Sequence, residues 1–362
     1  TTKDYQVMKN IQRWYALIFM CIFHFSCKEA PKDVVEDKPR PRVANYTDDQ
    51  LKEADTSNVP MSMVRHVKQA RNGDILVASY LGVFRYNGTS FTNLTKEIVP
   101  TPVASFWDVL EDRNGNLWFG SKDSGVYMYN GQSVQHYTTN DGLASNLALH
   151  LYEDRSGRIW IGSTVYDGKS FRNYTTKDGF PSNNIRLLLE DKTGRLWFGA
   201  QGDDLFVYDG KTYTVLRDKD GYAFNNVWSV IEDKKGNIWF GGSIITKREG
   251  STIYYDPGLW RYDGKTVTRV SRRGTYDIIQ DKEGNIWTSG GTDPQVWALT
   301  RYDAKTLYDK TPAFTEIKSG PVMAFLDLLE AADGSIWYGA GGPQSGVYRY
   351  DGKTFTDFRN TK

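Results

Sequence analysis

The sequence predicts an all-β fold, a seven-bladed β-propeller with four antiparallel strands per blade. Three observations predict it. A tryptophan-centred unit recurs seven times. Each unit holds four short apolar or β-branched runs with turn residues between them. The composition, with 34 Gly, 11 Trp and 23 Tyr among 362 residues, favours strands and tight turns over helices. Units of roughly 40–50 residues that repeat in this way indicate a propeller or another repeat array. A four-stranded sheet with two apolar faces needs neighbouring sheets to cover both, and a radial arrangement supplies them.

The anchor column reads Leu76, Trp118, Trp160, Trp197, Trp239, Trp287 and Trp337, at spacings of 42, 42, 37, 42, 48 and 50 residues. Around it run VLEDRNGNLWFGS from Val109, LYEDRSGRIWIGS from Leu151, LLEDKTGRLWFGA from Leu188, IIQDKEGNIWTSG from Ile278 and LLEAADGSIWYGA from Leu328. VKQARNGDILVAS from Val67 is a weaker first copy. In the fifth unit the four runs are residues 227–232, 238–240, 258–262 and 266–270, here termed strands a to d. The DxxG turn after strand a and the YDGK turn after strand c are Gly-containing hairpin connections. The DxxG Asp is expected to accept backbone N–H bonds, and the Trp column to pack between blades. The propeller is placed at residues 61–362. Its first and last units each contain four strands, so closure requires no borrowed strand. Residues 43–47 echo the strand-d sequence of residues 171–175 and offer an additional outer strand.

The preceding residues read as an address and a tether. Met8, Lys9 and Arg13 open a leader whose apolar run, residues 14–25, is too short to span a bilayer, which takes about 20 residues, and suits a signal-peptide core. Residues 1–7 then form an upstream extension, and residues 1–26 are removed. Ser26-Cys27 resembles a bacterial lipobox, which makes Cys27 the lipidated first residue of the mature chain; His24 and Phe25 depart from that pattern. A transmembrane anchor or an ordinary cleavage site are the alternatives. Both cysteines, Cys21 and Cys27, lie in this segment, so an exported body carries no disulfide. Residues 27–60, with Pro31, Pro39 and Pro41 and many charges, form a tether. The expected location is the outer membrane, periplasmic or cell-surface, held by lipid alone. Forty-five basic against 44 acidic residues give no basic footprint for nucleic acid.

The EDxxGxLW core, the GVYxYDGxxF strand pair and the linkers YTTNDGLASN from Tyr137 and YTTKDGFPSNN from Tyr174 resemble the two-component regulator propeller repeat. The resemblance covers at least six of the seven units. It implies a periplasmic ligand-binding sensor module, of a kind found in hybrid histidine kinases, many of which respond to oligosaccharides. Here no immunoglobulin-like module, transmembrane helix or kinase follows the seventh unit. The expectation is ligand binding on a lipid tether, with any signal read by an outer-membrane or sensor partner.

Function in a repeat array is expected where copies differ. The b-to-c connections vary most: from anchor to YDG-type turn the distance is 7 residues in the third unit and 24 in the fifth. These connections share the channel-entrance face with the d-to-a linkers, which predicts an asymmetric cleft. The fifth-unit insertion, residues 243–257, includes Lys247, Arg248, Tyr254 and Tyr255. The linkers supply Asn184, Tyr222, Phe224 and Asn226, and aromatic faces beside amides suit sugars. Trp107, Arg186, Trp228 and Tyr276 share one column at the start of strand a. The next column reads His66, Asp108, His150, Leu187, Ser229, Asp277 and Asp327, before a wholly apolar column. Such a ring on the innermost strands lines the channel. It either bonds to channel water and strand-edge amides or holds ligand hydroxyls or a hard cation, calcium being favoured by oxygen-rich ligation. The expected ligand-binding set is thus Trp107, Asp108, His150, Arg186, Asn184, Tyr222, Phe224, Asn226, Trp228, Tyr255, Asp277 and Asp327. No catalytic residue is assigned, since no nucleophile elbow is found. The leading reading is a non-enzymatic oligosaccharide-binding propeller; the alternatives are a protein-interaction scaffold at the outer membrane and a propeller lyase or glycosidase.

Overall fold

The computed structural model describes residues 56–99, 105–183, 185–199, 202–249, 252–293, 296–321 and 324–360. The leader, Cys27, the strand expected at residues 43–47 and Asn184 lie outside the described residues. Among the described residues, no helix is long and apolar enough to cross a membrane.

Seven antiparallel sheets form the ring, and within each the strands follow chain order from the channel outwards. Blade 1 comprises β1 (Val64–Gln69), β2 (Ile75–Ser79), β3 (Gly82–Tyr86) and β4 (Phe91–Asn93). The innermost strands of the next six blades are Phe106–Glu111, Leu151–Glu153, Arg186–Glu190, Val230–Glu232, Asp277–Gln280 and Ala324–Glu330. Blade 7 draws all its strands from its own segment, so the ring closes by packing. One core cluster joins Val64, Val67, Val77 and Phe84 of blade 1 to Trp337, Val347 and Phe358 from the last unit.

The repeated motif explains how blades hold together. In blades 2 to 6 the DxxG Asp caps its own hairpin and takes the indole N–H of the anchor Trp, as in Asp112–Trp118 at 2.9 Å and Asp233–Trp239 at 2.7 Å. Blade 1 has neither partner: Ala70 and Leu76 occupy the two positions. The residue after each DxxG Asp position donates its backbone N–H to the Glu or Gln of the following blade. The bonds run Arg71 to Glu111, Arg113 to Glu153, Arg155 to Glu190, Lys192 to Glu232, Lys234 to Gln280, Lys282 to Glu330 and Ala332 to Gln69, all within 2.9 Å. This complete circuit lies on the a-to-b hairpin face. The strand-b glycines permit close blade approach: a Cβ on Gly241 would sit 2.3 Å from the Thr275 carbonyl oxygen, and one on Gly339 would sit 2.7 Å from that of Val64.

Two local departures follow from the fifth unit. The insertion is not a loop; it prolongs strands b and c into the hairpin Ile238–Glu249 and Thr252–Tyr262, paired from Ile238–Tyr262 out to Glu249–Thr252. Its β-branched and tyrosine residues suit a two-stranded ladder. The lengthened strand b also pairs with Phe224–Asn225, so the inner edge of this blade is split around Asn226, which adopts φ 54°.

Candidate functional site at the channel mouth

A small pocket lies where the innermost strands begin. Its wall includes one residue from every blade: Arg65, Trp107, Leu149, Arg186, Trp228, Tyr276 and Leu326. His66, His150, Asp277 and Asp327 line it from the adjacent position. Two consecutive residues of a strand ordinarily face opposite ways. Here β-bulges intervene: pairing skips Arg65, Trp107 and Leu326 in blades 1, 2 and 7, and the bulge turns each toward the channel beside its successor.

The wall is stitched by ring contacts. The Arg186 guanidinium lies 4.2 Å over Trp228, which stacks on Tyr276 at 5.2 Å and 22°. Arg65 donates to the Tyr276 hydroxyl at 3.1 Å and lies 4.0 Å over Trp107. Trp107 in turn meets Tyr80 of the blade-1 b-to-c turn at 5.9 Å. Among the described residues, the buried Trp107 Nε1 and Arg65 Nε have no hydrogen-bond partner.

The deeper ring ties blade to blade. Asp108 is fully buried and accepts from its own neighbour Val109 N and from Leu151 N of blade 3, both at 2.7 Å. Asp277 accepts from Leu328 N of blade 7 at 2.7 Å, and Asp327 from Val67 N of blade 1 at 2.6 Å. Ser229 accepts from Ile278 N at 3.2 Å. The polar column is therefore engaged with strand-edge amides, one of the two roles open in the sequence.

Its electrostatics split the carboxylates. Burial alone would raise Asp108, but His66, His150 and Lys68 outweigh it and hold the acid far below its ordinary range. Burial raises Asp277, and burial reinforced by Asp277 raises Asp327 well above the usual carboxylate value, with Lys68 opposing in both cases. His66 is lowered to about 3, chiefly by burial, and so stays neutral. Two like charges at one buried site cannot both ionise cheaply, which accounts for the division. Lys68, two residues along from His66, answers the acids: burial would lower it, yet Asp327, Asp108 and Asp277 together raise it.

His66, Asp108 and His150 each place one ligating atom within 4.8 Å of the other two. Asp108 lies 3.6 Å from His66 Nδ1 and 3.3 Å from His150 Nδ1, and His150 Nε2 is buried without a partner. Two imidazole nitrogens and one carboxylate suit a zinc-class ion, whereas calcium takes six to eight oxygens.

The structure thus brings together Trp107, Asp108, His150, Arg186, Trp228, Asp277 and Asp327. The remaining expectations separate from the pocket. Phe224 is fully buried in a core cluster, edge-on to Phe240 and Trp260, so its aromatic face is spent on packing. Asn226 accepts from Gly202 N at 3.0 Å and serves a turn. Tyr222 and Tyr255 are 42% and 46% exposed and do not line the pocket. Arg65, Leu149, Leu326 and Lys68 were missed; reading the Trp107 column through all seven units would have found the first three.

The family profile described as two component regulator propeller matches residues 102–123, 142–164, 179–202 and 221–243, one segment in each of blades 2 to 5. No curated protein matches the sequence. Among solved structures, a streptogramin B lyase aligns with TM-score 0.55 and 14% identity over 80% of this chain and 94% of its own. A catalytically inactive virginiamycin B lyase from Staphylococcus aureus aligns with TM-score 0.52 and 11% identity over 78% and 92%. YCF48 from Cyanidioschyzon merolae aligns with TM-score 0.52 and 13% identity over 83% and 97%. At these identities the likeness is one of fold. Four of the repeats that build this ring match the two-component regulator propeller repeat, and the chain resembles that family in those segments.

Proposed function

We propose that this propeller is a non-enzymatic ligand-binding module that recognises oligosaccharide in the channel-mouth pocket. One observation carries the reading: the pocket is walled by the aromatic side chains of Trp107, Trp228 and Tyr276, beside Trp107 Nε1 and Arg65 Nε, which have no hydrogen-bond partner among the described residues. Sugar C–H groups pack against such rings, and hydroxyls bond to donors in the wall. A binding role is favoured over acid–base chemistry because Asp108, Asp277 and Asp327 already accept backbone N–H groups that hold adjacent blades. A thermal-shift and calorimetric screen of the folded body against oligosaccharides tests this. Bound sugar stabilises by RT ln(1 + [L]/Kd), and Trp228→Ala is expected to abolish the shift while the protein stays folded. Turnover of any bound sugar, lost in Asp108→Asn, would overturn the non-enzymatic assignment.

The reading includes export and lipid attachment at Cys27, resting on the leader sequence. Cys27→Ser is expected to release the protein from membranes and to remove metabolic palmitate label. A protein-interaction scaffold is the second reading, favoured by Tyr254 and Tyr255, both exposed on the blade-5 hairpin. Partner capture lost in a Tyr254→Ala/Tyr255→Ala variant, with no sugar bound by wild type, would establish it instead.

A further inference from the structure

Arg186 is 9% exposed, and among the described residues its guanidinium has neither a hydrogen bond nor a carboxylate partner. Its one contact of note is the Trp228 face. Arg65, on the opposite side of the same wall, also lacks a carboxylate; it holds the Tyr276 hydroxyl, and its Nε is bare. Other arginines of this protein differ: Arg113, Arg158, Arg195, Arg273 and Arg359 all reach an acid within 2.9 Å. A buried cation without a counter-charge is costly. Desolvation accordingly lowers Arg186, with only the Tyr276 phenol opposing.

We propose that the channel mouth is an acid-group subsite, in which Arg186 and Arg65 bind the carboxylate or sulfate of an anionic saccharide held in the pocket beside Trp228 and Trp107. This rests on the saccharide reading above and names its class. The guanidinium fork matches a two-oxygen anion in plane, and the indole beneath Arg186 fixes the fork's orientation. The pocket acids do not oppose an anion strongly. Asp277 and Asp327 are held toward their neutral forms by burial, and Asp108 is faced by Lys68. Aromatic walls alone would accept neutral sugars equally well; two guanidiniums with no carboxylate partner among the described residues would not be needed in the same wall.

The test uses matched pairs that differ in charge: an oligogalacturonate against its methyl ester, and a sulfated galactan (carrageenan) oligosaccharide against its desulfated form. Titration calorimetry on the wild-type propeller is expected to give an acidic member at least ten-fold tighter than its neutral counterpart. The carboxylate and sulfate pairs decide which acid is read. Arg186→Gln is expected to erase the preference while leaving the melting temperature equal or higher, since an unpaired buried charge is removed. Raising salt should weaken only the acidic member. If Arg186→Gln does not fold, Arg65→Gln and the wild-type salt dependence carry the test. Equal binding of both members of each pair, or a preference that survives in Arg186→Gln, overturns the inference and leaves the saccharide reading intact. Failure of every sugar, charged or neutral, overturns both.

Discussion

Asp327 separates the structural from the electrostatic role of the polar ring. Its carboxylate closes the propeller by accepting from Val67 N at 2.6 Å, across the junction of blades 7 and 1. Asp277 and Asp108 face it with like charge, Lys68 opposes them, and His66 Nδ1 lies 3.6 Å away. Asp327→Asn keeps a carbonyl acceptor and removes the titrating proton; Asp327→Ala removes both. The Asn-to-Ala difference isolates the Val67 bond, and an unsatisfied buried N–H costs about 1–3 kcal/mol. At about 2 °C per kcal/mol for a chain of this size, Ala should melt about 2–6 °C below Asn at any pH. The wild-type-to-Asn difference isolates charge. Because the folded acid is raised, its contribution is intact below the unfolded value near 3.9 and is lost as pH rises through the folded value. Asn and wild type should therefore converge toward pH 4, with Asn the more stable at pH 7.5. Melting curves by circular dichroism at both pH values measure this. Asn less stable than wild type at pH 7.5 would refute the reasoning, since the charge would then be a net stabiliser through Lys68.

Other outcomes follow from the same geometry. Trp228→Ala and Tyr276→Ala should each weaken oligosaccharide binding at least ten-fold in calorimetry, whereas Tyr222→Ala and Tyr255→Ala should leave the Kd unchanged, because neither lines the pocket. Glu153→Ala removes the acceptor for Arg113 N and a partly exposed ion pair with Arg113 Nε. It should lower the melting temperature by about 2 °C, for a loss of about 1 kcal/mol, with sugar affinity untouched; a changed Kd would mean that the hairpin face and the mouth communicate. Millimolar calcium should not shift the melting temperature. A calcium-dependent shift abolished by Asp108→Asn would show that the acids assemble an oxygen cage after all.

The sequence was informative wherever seven copies constrain one another. The Trp spacing, the DxxG and YDGK turns and the four runs per unit determine blade number and strand order, because each unit must bury both faces against its neighbours. The alternation of columns on strand a pointed to the channel wall, and Trp107, Arg186, Trp228 and Tyr276 do meet there. Phe224 and Asn226 have the composition of a sugar site, yet the lengthened strand b recruits their segment into the blade edge, and no local pattern announces that pairing.

The ring was legible in the repeat: a local unit, copied seven times, leaves few other ways to cover its apolar faces. The pairing of side chains was not. Asp108, Asp277 and Asp327 look like ligands in sequence and hold amides 43 to 260 residues away. Arg186, placed by its column among the candidate ligand residues, stands buried with no carboxylate partner among the described residues. Partnership across blades depends on bulges and register that bring distant strands within hydrogen-bond reach, and one-dimensional spacing carries no record of that distance.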